Sequence, residues 1–154
     1  MRMLGRLKDA FLSAVERKDG GGGVAQQNER ELAIAMTALM IEAARADEVQ
    51  TDIETDLIRR ALTDGFDLST TDAERLFAEA ARRQADAVDL HQFTKLAKGL
   101  PHDEKIAFVE GLWRIVLSND DRDPYEEAVI RRICSLIYVS DIDSGAARQR
   151  VAAG

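Results

Sequence analysis

The sequence predicts an all-α protein, a compact bundle of about seven to eight helices built from two related helical hairpins. Three observations carry this expectation. Only two prolines and 5% aromatic residues interrupt a chain rich in the helix formers Ala, Leu, Arg and Glu, with abundant Asp, which favours helix starts. From about Asn28 onward, apolar residues recur at three- and four-residue spacing in nearly every segment. A segment near the middle of the chain also recurs near its end, which marks an internal duplication. With 154 residues, the chain has the length of one domain that buries its own core without disulfides.

The elements follow in order. Residues 3 to 18 read as an amphipathic helix, with Leu4, Leu7, Phe11, Ala14 and Val15 on one face and Arg2, Arg6, Asp9, Ser13 and Arg17 on the other. Residues 19 to 27, containing Gly20 to Gly23, read as a flexible linker. No Gly-Lys-Ser/Thr follows these glycines, so they do not form a phosphate loop. Residues 28 to 154 read as the helical domain. Its first helix spans Asn28 to Ala46 and places Leu32, Ala35, Met36, Leu39 and Ala43 on an apolar stripe.

Thr51 and Glu54 have the spacing of a capping box, opening a helix with Leu57, Ile58, Ala61 and Leu62 that Gly65 stops. Thr71-Asp72-Ala73-Glu74 opens the next, with Leu76, Phe77 and Ala80. Asp89 starts a short helix with Leu90, Phe93, Leu96 and Ala97, and Gly99 ends it. Pro101 suits the first turn of a helix carrying Ile106, Val109, Leu112, Trp113 and Val116. Asp123-Pro124-Tyr125-Glu126 combines an N-cap, a first-turn proline and a glutamate at the third helical position. Ile130, Ile133, Cys134 and Ile137 form that helix's stripe, and Ser140 caps a last helix fraying from Val151 to Gly154.

Charge and composition exclude several functions. The net charge is −7, yet residues 1 to 18 hold five basic side chains against two acidic ones, leaving −10 for the remainder. A body this acidic does not bind nucleic acid. No apolar run has the length of a transmembrane helix, and Lys8 and Asp9 interrupt any signal-peptide-like stretch. Cys134 is the only cysteine, which rules out an intramolecular disulfide and a cysteine-rich zinc site. The expected location is the cytoplasm. The basic helix of residues 1 to 18 is suited to peripheral contact with an anionic membrane, to docking on a partner protein, or to packing back on the bundle or against a second copy.

The duplication becomes explicit when Ala44-Arg45-Ala46-Asp47 is laid over Val116-Leu117-Ser118-Asn119, an offset of 72 residues (116 − 44). Glu54 then meets Glu126, and Ile58-Arg59-Arg60 meets Ile130-Arg131-Arg132. After one residue of slippage, Phe66-Asp67-Leu68-Ser69 loosely matches Tyr138-Val139-Ser140. The stretches AARADEVQTDIETDLIRRAL, VDLHQFTKLAK and LWRIVLSNDDRDPYEEAVIRRICSLIYVSD resemble the TerB-like tellurite-resistance family from about residue 30 to the end. The resemblance implies an all-helical fold without catalytic activity and a role in tellurite resistance or a related stress response. It also implies divalent-metal binding at acidic turns and action with partner proteins near the inner membrane.

The family's turn reads Ala-Asp-Gly, with a glutamate seven residues after the aspartate. Here Asp47 and Glu54 hold those places in the first copy, with Glu48 where glycine is usual. In the second copy Asn119 replaces the aspartate, Asp120 replaces the glycine, and Glu126 remains. The candidate metal ligands are therefore Asp47, Glu48, Glu54, Asp120, Asp121, Asp123 and Glu126. An all-carboxylate set suits a hard cation, Ca²⁺ or Mg²⁺, rather than zinc. An EF-hand loop starting at Asn119 fails, because Pro124 stands at its sixth position and Ile130 at its twelfth. Thr51, Glu54, Asp123 and Glu126 are equally accounted for as helix caps, so capping and metal binding both remain open. Asp47 makes the first turn the stronger candidate.

The enzyme alternative is a metal-dependent hydrolase using the same carboxylates, and a further alternative is a scaffold without any metal site. No nucleophile motif or zinc-spaced histidine pair supports catalysis, and no catalytic or cofactor-binding residue is assigned. His91 and His102 read as exposed or capping residues, and Cys134 and Trp113 as core. The arginine pairs read as surface ion pairs, Asp56 with Arg60 and Glu127 with Arg131 at i,i+4 spacing. The expected function is a non-enzymatic interaction or sensing module.

Overall fold

The computed structural model describes residues 24–45, 52–66, 68–118 and 124–154. Among them are seven helices and no strand. They are α1 (Val24–Ala44), α2 (Asp52–Phe66), α3 (Thr70–Asp86), α4 (His91–Ala97), α5 (His102–Val116), α6 (Pro124–Ile137) and α7 (Asp141–Ala153). The amphipathic helix expected at residues 3 to 18 lies outside the described residues. So do Gly20 to Gly23. α1 begins at Val24, so it runs into the segment read as linker.

α1 forms the axis of the bundle. The run LAIAMTALMI, residues 32–41, carries no charge and therefore offers no face to water; every one of its residues is buried. The expected apolar stripe is thus a fully apolar cylinder. Its one polar side chain, Thr37, donates its hydroxyl to the Ala33 carbonyl at 2.9 Å and so is satisfied within the helix. Burying each of its large side chains stabilises the fold by about 1.5–3 kcal/mol. Five helices, α2 to α6, pack around α1.

The duplication organises the packing. α1, α2 and α3 form one triplet, and α5, α6 and α7 form the other. Within each, the first helix packs most extensively on the third, and the second touches both. Across the triplets α1 meets α5, α1 meets α6, and α2 meets α5, while α4 packs on α1 and α6. The residues matched in sequence share one environment: Ile58 and Ile130 are fully buried, as are Leu62 and Cys134.

The one-residue slip has a structural origin. α2 has 15 residues and α6 has 14, so helix starts are offset by 72 (124 − 52) and helix ends by 71 (137 − 66). Both copies make the same hydrogen bond on leaving their helix. The Leu68 amide donates to the Thr63 carbonyl at 3.1 Å, and the Val139 amide to the Cys134 carbonyl at 2.8 Å, the six-to-one bond of a Schellman ending. Tyr138 takes the left-handed conformation this ending needs, with φ of 66°.

Next, Ser69 and Ser140 accept from the amides of Asp72 and Asp143, each at 3.1 Å. Ser69, with extended backbone, is therefore the cap of α3 in place of Thr71, which lies inside the first turn. Other boundaries also move slightly. Asp89 caps from outside, accepting from the His91 amide at 2.9 Å. Pro101 stands in the N-cap position of α5, and α7 stays helical through Ala153.

Polar contacts fasten α3 to α1 along one edge. Arg83 donates to both carboxylate oxygens of Glu31, at 3.0 and 3.2 Å, and its Nε donates to Glu79 at 2.8 Å. Gln84 donates to Glu42 at 2.8 Å and accepts from Arg45 at 3.2 Å. Glu31 and Glu42 are the charged residues immediately on either side of the apolar run of α1.

Candidate functional site

Of the seven candidate ligands, Asp47, Glu48, Asp120, Asp121 and Asp123 lie outside the described residues, as does Thr51. Glu54 and Glu126 are described, and each is the third residue of its helix. They are 1% and 2% exposed. A capping glutamate reaches back to the backbone amide of its own N-cap residue. Here both matched carboxylates are buried, and both are engaged. Burying a carboxylate is unfavourable unless donors or a cation compensate it. Among the described residues no three His, Cys, Asp or Glu side chains converge as a metal cluster. The described part of each turn thus holds one buried carboxylate.

A second feature escaped the sequence reading. Trp113 on α5, Ser144, Gly145 and Arg148 on α7, and Glu127 and Arg131 on α6 line a half-open cavity of ≈ 200 Å³ with Asp141 at its rim. The indole Nε1 donates to the Ser144 hydroxyl at 3.1 Å, which satisfies it in a residue only 7% exposed. The Arg148 guanidinium lies over the indole, 5.1 Å from the ring centroid, and contacts Glu127 at 3.5 Å. Trp113 is therefore both core residue and pocket wall.

The surface ion pairs differ from those expected at i,i+4. Asp56 contacts Arg59 at 3.7 Å rather than Arg60, and Glu127 contacts Arg148 rather than Arg131. Arg59 additionally pairs with Glu74 and lies 5.2 Å from the Phe77 ring centroid. Packing of a neighbouring helix supplied a second partner that local spacing does not reveal. The remaining candidates are structural. Cys134 is fully buried, and burial pushes its thiol pKa up despite a hydrogen bond with Ser144, so it stays protonated and unreactive. His91 is exposed, and His102 is exposed with its Nε2 3.4 Å from Asp143.

Fold and site together define an all-α domain made by internal duplication, with an acidic segment leading into a buried glutamate in each half. The family model described as tellurite resistance protein TerB matches residues 33–149, from within α1 to within α7. The chain belongs to that family. Comparison with curated proteins and with solved structures gave no match. No helix among the described residues is long and apolar enough to cross a membrane.

Proposed function

We propose that the protein is a non-enzymatic interaction and sensing module of a stress response, tellurite resistance included, and that its acidic turns take up Ca²⁺ or Mg²⁺. The observation that carries this reading is the near-complete burial of Glu54 and Glu126 at equal positions, each beside further carboxylates in sequence. Asp47, Glu48 and Glu54 would hold the cation in the first copy; Asp120, Asp121, Asp123 and Glu126 would hold it in the second. Oxygen-only donors select a hard cation, and its charge would offset the burial of the two glutamates. Calorimetric titration of chelator-treated protein tests this, with heat of Ca²⁺ or Mg²⁺ binding in the wild type and none at the first site in Asp47→Ala. A titration without binding heat for either ion removes the cation from the account.

Partner proteins are the proposed targets, with residues 1 to 18 as a basic amphipathic anchor at the inner face of the membrane. Co-sedimentation with anionic liposomes should require residues 1 to 18. Equal sedimentation of the protein lacking them rejects the anchor.

A further inference from the structure

The duplication supplies an internal reference for the cavity beside Trp113. Past the slip, residues match at an offset of 71, as Ser69 matches Ser140. Before the slip Arg59 corresponds to Arg131 (131 − 59 = 72), and past it Glu74 corresponds to Gly145 (145 − 74 = 71) and Phe77 to Arg148 (148 − 77 = 71). In the first copy the Arg59 guanidinium is held by the Glu74 carboxylate beside the Phe77 ring. In the second copy both supports are gone. Gly145 has no side chain, and Arg148 turns instead to Trp113 and Glu127. Among the described residues Arg131 makes no ion pair, and it lines the opening that the missing carboxylate leaves.

Gly145 has no packing reason to be glycine. A Cβ there would meet nothing within 4 Å, and glycine inside a helix weakens it. What the exchange of Glu74 for Gly145 removes is the carboxylate, and the space beside Arg131 stays open. The charges specify what fits. Glu127 and Arg148 neutralise each other, leaving the Arg131 guanidinium and the Asp141 carboxylate. A simple anion would face Asp141, and a simple cation would face Arg131. A molecule bearing both charges satisfies both. The volume, ≈ 200 Å³, is below the range of roughly 300–1,000 Å³ typical of drug-sized ligands.

We propose that this cavity binds a small amino carboxylate, a free zwitterionic amino acid in chemical class. Its carboxylate takes the place that Glu74 holds beside Arg59, its ammonium faces Asp141, and the Trp113 indole forms the apolar wall. Nothing in this depends on the acidic turns.

Trp113 is the sole tryptophan, so its fluorescence reports the site, and calorimetry detects binding that leaves emission unchanged. The probes are the twenty free amino acids, with acetate and methylammonium as single-charge controls. At least one amino acid should bind saturably, and both controls at least about ten-fold more weakly. Gly145→Glu should rebuild the first copy's ion pair, abolish binding and leave Tm no lower, whereas Gly145→Ala should keep binding. Arg131→Gln, at an exposed position, should weaken binding by about ten-fold or more. Absence of binding by every amino acid overturns the proposal. Acetate binding as tightly as the amino acid overturns the zwitterion assignment, and unchanged affinity in Arg131→Gln overturns the site.

Discussion

Glu54 and Glu126 occupy the same position in two copies of one structural unit, and both are withdrawn from water, to 1% and 2% exposure. Burial so deep makes each carboxylate a point where the domain is vulnerable. Glu54→Ala and Glu126→Ala should each destabilise by about 2–3 kcal/mol, because the groups engaging the carboxylate lose their charged partner. Urea denaturation followed by Trp113 fluorescence measures this. A loss below about 0.5 kcal/mol, as at ordinary surface sites, would show the burial to be unimportant.

The Trp113 indole and the Ser144 hydroxyl link α5 to α7 by a buried hydrogen bond of 3.1 Å. Ser144→Ala strands the indole donor in a site water barely reaches. The expected loss is about 1–3 kcal/mol, read from the denaturation midpoint at unchanged slope. A variant as stable as the wild type would mean the indole finds another acceptor.

Glu79 gives the fold an acid-sensitive edge. Desolvation alone would raise its pKa, but hydrogen bonds and charge attraction from Arg82 and Arg83 outweigh it, and the net shift is downward. A carboxylate depressed on folding stabilises the protein above its unfolded pKa, and that contribution disappears as pH falls through the lower folded value. Between neutral pH and the unfolded value near about 4.3 the contribution is complete. Stability should therefore fall on acidification below about pH 4, and Glu79→Gln should flatten part of that fall. An acid limb with the same slope in Glu79→Gln contradicts the assignment.

Tyr138 holds a left-handed conformation with an exposed side chain, flanked by Lys98 and Lys105 at 5.5 and 5.9 Å from its ring. Comparing Tyr138→Gly with Tyr138→Ala removes the ring from both and isolates the backbone. The glycine variant should be the more stable by about 1 kcal/mol, since only glycine enters this region without a Cβ clash. Equal midpoints would indicate that the turn relaxes to another conformation.

The helices were legible because their signals are local. The uncharged run from Leu32 to Ile41 announces a central helix, and Ser140 announces the start of α7 through a hydroxyl three residues from the amide it accepts from. Ser69 was missed for Thr71 because three adjacent hydroxyl residues compete there, and only backbone conformation decides among them. The glutamates were legible as third-position residues, but their burial depends on which helices close over them. Arg148 choosing Trp113 and Glu127 is a matter of how α7 lies on α5 and α6, which no local spacing encodes. The pocket nevertheless left a trace: extending the repeat past its slip aligns Glu74 with Gly145, a charged residue exchanged for none.

The most direct measurement of the cation-sensing account is the melting temperature of chelator-stripped protein with and without millimolar Ca²⁺ or Mg²⁺. A cation held only by the native state adds about 2.7 kcal/mol at 100 times its Kd, or about 5–10 °C at this chain length. The account predicts a rise of that order in the wild type and its loss in Asp47→Ala. A melting temperature indifferent to both ions would contradict it.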